Sequence, residues 1–250
     1  MAAAVVGIAS VGLIARSSDP EAKPKPRAQV LVFSKTAGFR HDSIPAGIAA
    51  IRGLGRANGF SVSATENATA FTPRRLRGLA AVVFLNTTGD VLGPSQQRAF
   101  KRYVRRGGGW VGIHSAADTE YDWPFYGRLL GAYFKQHPAI QQATIDVGDR
   151  SHPSTRHLPA QWTRTDEWYD FRSNPRGAVH VLATLDESTY SGGTMGADHP
   201  IAWCHRFKGG RAFYTAGGHT IGSYAEPEFR RHLLGGILWA AGLAQGGCRV

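Results

Sequence analysis

Through the first half of the chain, short apolar runs alternate with stretches of helical spacing. Residues 29–34 (QVLVFS) form a β-rich apolar run and read as a first buried strand. After the loop 35–43 (KTAGFRHDS), Pro45 stands at a helix start with Ser43 or Asp42 as its cap. Ile44, Ile48, Ile51 and Leu54 then recur at helical spacing. Residues 60–64 alternate apolar and polar as a second strand, 73–79 read as a short helix, and 80–85 (AAVVFL) as a third, fully buried strand. Pro94 opens a helix with Phe100, Tyr103 and Val104 on one face, which Gly107, Gly108 and Gly109 end. Residues 110–113 are a fourth strand, stopping at His114. The strand–helix repeat predicts a parallel sheet with helices on both faces. Ligands of such sheets bind beyond the carboxyl ends of the strands, so loops 35–43, 86–93 and 114–123 are expected to crowd together.

The second half is less regular. Strands are predicted at 140–147, 178–184, 200–207 and 211–215, the last two joined by the hairpin signal Lys208-Gly209-Gly210. A final helix over 227–241 carries Phe229, Leu233, Leu234, Ile237 and Leu238 at helical spacing. The pattern has no internal repeat and gives no second domain, and 132–200 reads as an elaborated insertion.

Composition narrows the class. The chain has 250 residues, 42% hydrophobic and 19% charged, enough for one sizeable core. The net charge of +11 comes from arginines scattered over helices, such as Arg74, Arg75 and Arg77, or Arg102, Arg105 and Arg106. That distribution reads as solvated faces, and no nucleic-acid partner is expected. The two cysteines, Cys204 and Cys248, lack CxxC spacing, which leaves room for one disulfide but not for a cysteine-rich zinc site. Residues 2–15 are small and apolar, shorter than the ~20 residues of a membrane span. They resemble the apolar part of a signal peptide without its basic leader. Residues 1–28 are therefore expected to be a signal-like or disordered segment and a Pro-rich linker, ahead of a folded domain over 29–250. Export is expected, with a cytoplasmic location as the alternative, and no stable membrane association of the mature domain. The oligomeric state is not encoded in any pattern.

Candidate chemistry gathers at predicted strand ends. In residues 107–118 (GGGWVGIHSAAD), Gly112 and Ala116 flank His114 with the G-x-Nuc-x-[GA] spacing of a nucleophile elbow, with histidine in place of Ser or Cys. His114 can serve as general base or as a metal ligand, or it can be a turn residue bonded to a backbone carbonyl. The loop after the first strand offers Arg40 as an anion clamp, His41 as a second base or ligand, and Asp42 as orienter or cap. His219 follows Gly217-Gly218 at a third strand end. Three histidines after three strands form a pattern that suits a transition metal when a carboxylate joins them. Asp166 and Glu167 offer that carboxylate. Trp123, Phe125, Tyr126, Trp168 and Tyr169 are candidate walls for a sugar's C–H face, although most of these aromatics are expected in the core. His137-Pro138 and His152-Pro153 each read as a turn or a ligand.

The stretches VLVFSKTAGFRHDSI, GGGWVGIHSAAD, WPFYGRLLGAYFKQHP, SHPST, DEWYDF, HPIAWCHRFKGGRAFYTAGGHT and GGILWAAG, in this order over residues 29–242, resemble the ThuA-like (trehalose-utilisation) family. The resemblance implies an α/β, flavodoxin-like three-layer sandwich with a mostly parallel central sheet, as in class I glutamine amidotransferases. Those relatives carry a cysteine at the elbow; His114 stands there in this chain, which argues against glutaminase chemistry. The resemblance also implies a sugar substrate of the 3-keto-glycoside or disaccharide type, handled by a hydrolase or lyase. The strand-end chemistry of this chain then supplies the expected residues: His114, His41 and Glu167 as catalytic groups, Arg40, Asp118, Trp123, Trp168 and Tyr169 as substrate contacts, and His41, His114 and His219 as ligands of a possible zinc-like divalent ion. The alternative is a sugar- or glycan-binding module without turnover.

Overall fold

The computed structural model describes residues 1–4 and 28–248, so the expected signal-like segment and linker fall largely outside the described residues. In chain order the elements are β1 (Ala28–Phe33), α1 (Ile44–Asn58), β2 (Phe60–Thr65), α2 (Pro73–Leu76), β3 (Ala81–Leu85), α3 (Pro94–Arg105), β4 (Gly109–Ile113) and α4 (Pro124–Leu130). They continue with β5 (Phe134–Gln136), β6 (Gln141–Val147), β7 (Gln161–Asp166), β8 (Asp170–Phe171), β9 (His180–Asp186), β10 (Pro200–Phe207), β11 (Gly210–Thr215) and α5 (Pro227–Ala240). Nine strands form one sheet in the order β2-β1-β3-β4-β11-β10-β9-β6-β7, while β5 and β8 pair separately.

The half from β2 to β11 is parallel throughout, in the 2-1-3-4-5 order of doubly wound flavodoxin-like sheets. Its strands are buried on both faces, which is why they read as unbroken apolar runs: β3 and β4 are buried at every position. α1 packs beside α5 and α2 beside α3, giving the three layers. Ser43 occupies the N-cap of α1 but makes no side-chain cap bond; its hydroxyl turns instead to the carbonyl of Gly218, 3.3 Å away. The hairpin of β10 and β11 turns through Lys208 (φ 51°) and Gly209 (φ 103°), both in the left-handed region that a tight hairpin requires.

From β11 onward every pairing is antiparallel. Four antiparallel steps return β7 to the direction of β11, so its carboxyl end points to the same edge as those of β1, β3 and β4. A flat sheet would hold β7 about 19 Å from β11 at ~4.8 Å per strand. The Oδ2 atom of Asp166, at the end of β7, instead accepts a 2.7 Å hydrogen bond from the N–H of Gly218, just beyond β11. The antiparallel half therefore curls back over the parallel half, enclosing Trp162, Trp168, Ile201 and Phe229. Among the described residues no helix is long and apolar enough to cross a membrane.

Candidate functional site

Three strand ends and the returning tip of β7 meet at one point. His41 comes from the loop after β1, His114 directly follows β4, His219 follows β11, and Glu167 follows β7. The three imidazole rings meet edge to face, with centroids 4.9 Å apart for His41–His114 and His41–His219, and 5.1 Å for His114–His219. One ligand atom from each of the four residues lies within 4.8 Å of all the others.

Each loop is held from behind. His114 adopts φ 50°, a left-handed backbone uncommon for a side chain larger than glycine, as a sharp elbow requires. Its Nδ1–H donates to the carbonyl of Ala216 at 2.7 Å. That bond selects the tautomer and leaves Nε2 to face the centre. Asp166 collects the backbone N–H groups of Gly218, His219 and Thr220, the hydroxyl of Ser223 and the guanidinium of Arg164. This arrangement needs Gly218 at φ 111°, where a Cβ would come 2.8 Å from the Tyr224 hydroxyl. Asn86, after β3, donates from one amide nitrogen to both Ser43 Oγ and the Gly218 carbonyl, tying the β1 and β11 loops together. Glu120 accepts from the N–H groups of Val91 and Leu92, which fixes loop 86–93 against loop 114–123.

The electrostatics follow from these contacts. Glu167 Oε2 lies 3.3 Å from His114 Nε2 and 3.0 Å from His219 Nδ1, and those two nitrogens are 3.1 Å apart. With His114 Nδ1 already donating, a neutral His114 presents a lone pair at Nε2, so lone pairs converge on one point and require a shared proton or a cation. The separations match the ~3.3 Å edge of a tetrahedron built on zinc–nitrogen bonds of about 2.0–2.1 Å. Burial by itself pushes the Glu167 carboxyl up, but the His114 and His219 rings against it outweigh burial and hold the group below the usual carboxylate range. Burial pulls the His219 ring down, and the Glu167 carboxylate overcomes it and raises the ring. His41 is lowered to about 3, chiefly by burial and then by the neighbouring His114 and His219.

The remaining expected site residues divide. Tyr169 is buried with its ring on His114, centroids 4.1 Å apart. Asp118 is half-buried and accepts from the Tyr121 hydroxyl at 2.6 Å; burial raises its carboxyl. Trp168, expected as a sugar wall, is instead completely buried inside the curl, with its indole N–H on the Gln141 carbonyl, so it has no face to offer a ligand. Trp123 packs on Phe100, Phe125 and Tyr126 on the α3 side rather than on the histidines. Arg40, expected as an anion clamp, points outward into an exposed 2.7 Å ion pair with Glu66. Of the two His-Pro pairs, His137 reaches the centre: its Nδ1 lies 3.1 Å from Glu167 Oε1 and its side chain is 42% exposed, placing it at the mouth. His152 is buried elsewhere, against Phe213 and Trp239. Both cysteines are consumed in a Cys204–Cys248 disulfide, so no thiol stands near the elbow.

Known proteins share this architecture. The family model for ThuA, described as trehalose utilisation, matches residues 29–240. A ThuA-like protein from Bacteroides uniformis superposes with a TM-score of 0.77 at 25% identity, covering 90% of this chain and 95% of that one. A ThuA-like protein from Parabacteroides merdae gives 0.70 at 20% identity, covering 86% and 90%. A β-galactosidase from Bacillus circulans shares the fold over 31% of its own length, with a TM-score of 0.57 at 16% identity and 86% of this chain covered. No curated protein sequence matches the chain. With the family match spanning residues 29–240 and ThuA-like structures superposing over most of its length, this chain belongs to the ThuA, trehalose-utilisation family of carbohydrate metabolism.

Proposed function

We propose that the protein is an enzyme acting on a keto-sugar or a disaccharide-derived glycoside, at a centre where His41, His114, Glu167 and His219 hold a divalent transition metal such as zinc. The observation that carries this reading is the convergence of His114 Nε2, His219 Nδ1 and Glu167 Oε2 to within 3.0–3.3 Å of one another. When bound, such an ion supplies Lewis acidity toward a sugar carbonyl or hydroxyl oxygen. A carbonyl at C3 of a sugar acidifies the C2 proton, and elimination of the C1 substituent then needs a base beside C2 and a proton for the departing oxygen. His137 is the ring that meets solvent, held by one oxygen of Glu167 while the other oxygen faces the buried histidines. Tyr169 covers His114 and keeps water from that side of the ring. Glutaminase chemistry has no support here, because the elbow carries His114 and both sulfurs are bonded to each other. The disulfide also favours an exported protein, since such bonds persist in oxidising compartments.

The test is the metal content of the untagged full chain beside that of His114→Ala, with turnover of a 3-keto-glycoside measured on both. A stoichiometric transition metal in the wild type, lost together with turnover in the variant, is expected. Metal-free wild type that still turns the sugar over would remove the metal from the reading. Binding of the sugar with no product at all would replace the enzyme by a sugar-binding module.

A further inference from the structure

A hollow opens at the edge of the sheet opposite the histidines. It has a volume of about 380 Å³ and lies where α2, α3 and the end of α5 meet the starts of β3 and β4. β3 and β4 are each five residues long, so at ~3.3 Å per residue about 16 Å of strand separates this edge from the site. Leu76, Leu79, Tyr103 and Ala241 give the hollow an apolar floor. The floor is fixed in place. The Tyr103 ring lies on Gly108, where a Cβ would come 2.3 Å from it, and its hydroxyl donates to the Gly109 carbonyl at 2.9 Å. Three exposed arginines also line the hollow: Arg77 at the end of α2, with Arg102 and Arg106 at the end of α3. Residues four apart share a helix face, so Arg102 and Arg106 repel each other, and Arg77 adds a third like charge from the neighbouring helix. Among the described residues, the arginines that hold a carboxylate are Arg40, Arg164 and Arg176; Arg77, Arg102 and Arg106 hold none. The carbonyls at a helix C-terminus favour a nearby cation, which accounts for basic residues there but not for the hollow between them.

We propose that this hollow is a binding site for a small phosphate monoester with an apolar or aromatic body, separate from the histidine centre. The site stands independently of the metal and sugar reading of that centre. Its volume falls within the ~300–1,000 Å³ of small-molecule pockets, which pair a mainly apolar lining with a few polar groups. The charge of the occupant follows from the arginines. A phosphate monoester carries about −1.5 to −2 near pH 7, enough to offset most of the repulsion among three guanidinium groups. A single carboxylate would leave two of them uncompensated. Guanidinium forks also match phosphate oxygens in pairs, which a lysine cluster would not. The body of the occupant follows from the floor. A bare phosphate would leave Leu76, Leu79 and Tyr103 against water, while an apolar body covers them. The net charge of +11 draws anions to the whole surface, and the fixed apolar wall adds the selectivity that general attraction lacks.

The experiment is titration calorimetry on the full chain with 1-naphthyl phosphate, inorganic phosphate and 1-naphthol as probes. One equivalent of naphthyl phosphate is expected to bind wild type, more tightly than either inorganic phosphate or naphthol. Arg102→Gln with Arg106→Gln should weaken it about tenfold, and Arg77→Gln by less. These arginines are exposed, so their variants change charge without disturbing a core. Ala241→Leu fills the floor and keeps every charge, so it should weaken naphthyl phosphate and leave inorganic phosphate unchanged. Arg74→Gln with Arg75→Gln removes the same charge from α2 outside the hollow and should bind like wild type, as should His114→Ala. Equal loss in the two arginine pairs would reduce the binding to general attraction by a cationic chain and overturn the site. Inorganic phosphate binding as tightly as naphthyl phosphate would overturn the apolar half of the proposal. Loss in His114→Ala, with the arginine variants unaffected, would place the phosphate at the histidine centre instead. Wild type that binds none of the probes would overturn the proposal outright.

Discussion

At the scale of single residues, the site depends on a carboxylate that touches no ligand. Asp166 is completely buried, and its two oxygens are taken by four backbone N–H groups, those of Glu167, Gly218, His219 and Thr220, with the Ser223 hydroxyl and Arg164. Burial pushes its carboxyl up, and the Arg164 guanidinium and the backbone donors outweigh that and hold it below 3.8. Asp166→Asn keeps the size but removes the charge, leaving Arg164 paired only with Glu226 and turning an amide N–H₂ toward backbone donors. Breaking a buried pair in this way costs about 3–5 kcal/mol. Because the same oxygens fix His219, metal affinity is expected to fall along with stability. Urea denaturation and metal titration on the variant check both, and a destabilised variant with unchanged metal affinity would separate Asp166 from the site. The sign of its linkage is that of a depressed acid: its contribution is complete above pH 3.8 and is lost as pH falls through the lower folded value.

At the scale of elements, α5 is set close to its neighbours by Gly235 and Gly236. A Cβ on Gly235 would lie 2.2 Å from the Pro153 carbonyl, and one on Gly236 would lie 2.3 Å from the Phe213 ring. That approach buries His232 of α5 and His152 of the facing loop, whose Nε2 atoms have no partner among the described residues. Burial lowers His232 to about 3 and His152 to about 4, from 6.5. Both therefore stay neutral in the fold while the unfolded chain binds protons below pH 6.5. Stability is full above that pH and declines as pH falls toward the two folded values, by up to about 2 kcal/mol per group at about pH 5. His232→Gln retains a donor for the Ser154 carbonyl and removes one titration, so its loss of denaturation midpoint between about pH 7.5 and pH 5 should be shallower than that of wild type. An identical slope would place the titration elsewhere. The same elements explain what was legible in the sequence. β1, β3 and β4 are buried on both faces and announce themselves as apolar runs, and the three histidines were legible because parallel strands end on one edge. β7 escaped because the residues it turns inward are Trp162, Arg164 and Asp166, so its alternation is hidden by buried charge. α4 escaped because seven residues give too short a period. The irregular β5–β6 connection gave His137 no predictable direction, and aromatic residues such as Trp168 carry no mark that separates a ligand wall from a core.

At the scale of the whole molecule, the parallel half supplies the three histidines and the antiparallel half supplies Glu167, so the site exists only while the curl is closed. Two devices hold it closed. One is the Asp166–Arg164–Glu226 chain, which bridges β7 to the start of α5 across 2.7 and 2.8 Å contacts. The other is the disulfide, which ties Cys248, after α5, to Cys204 on β10 in the middle of the antiparallel strands, across a sequence separation of 44. Closing a loop of that length removes conformational freedom from the unfolded chain worth about 2–4 kcal/mol, and it acts on the same half that must stay curled. Cys204→Ser with Cys248→Ser should therefore lower the denaturation midpoint by that free energy, and wild type under a thiol reductant should match the double variant. Since α5 and β10 are joined near the curl rather than at the loops that carry the three histidines, the affinity for the proposed metal at low denaturant should be nearly unchanged and should fall only as the fold does. Loss of metal in the variant well before unfolding would mean that the tether positions Glu167 directly, and would make the redox state of the compartment part of how the site is assembled.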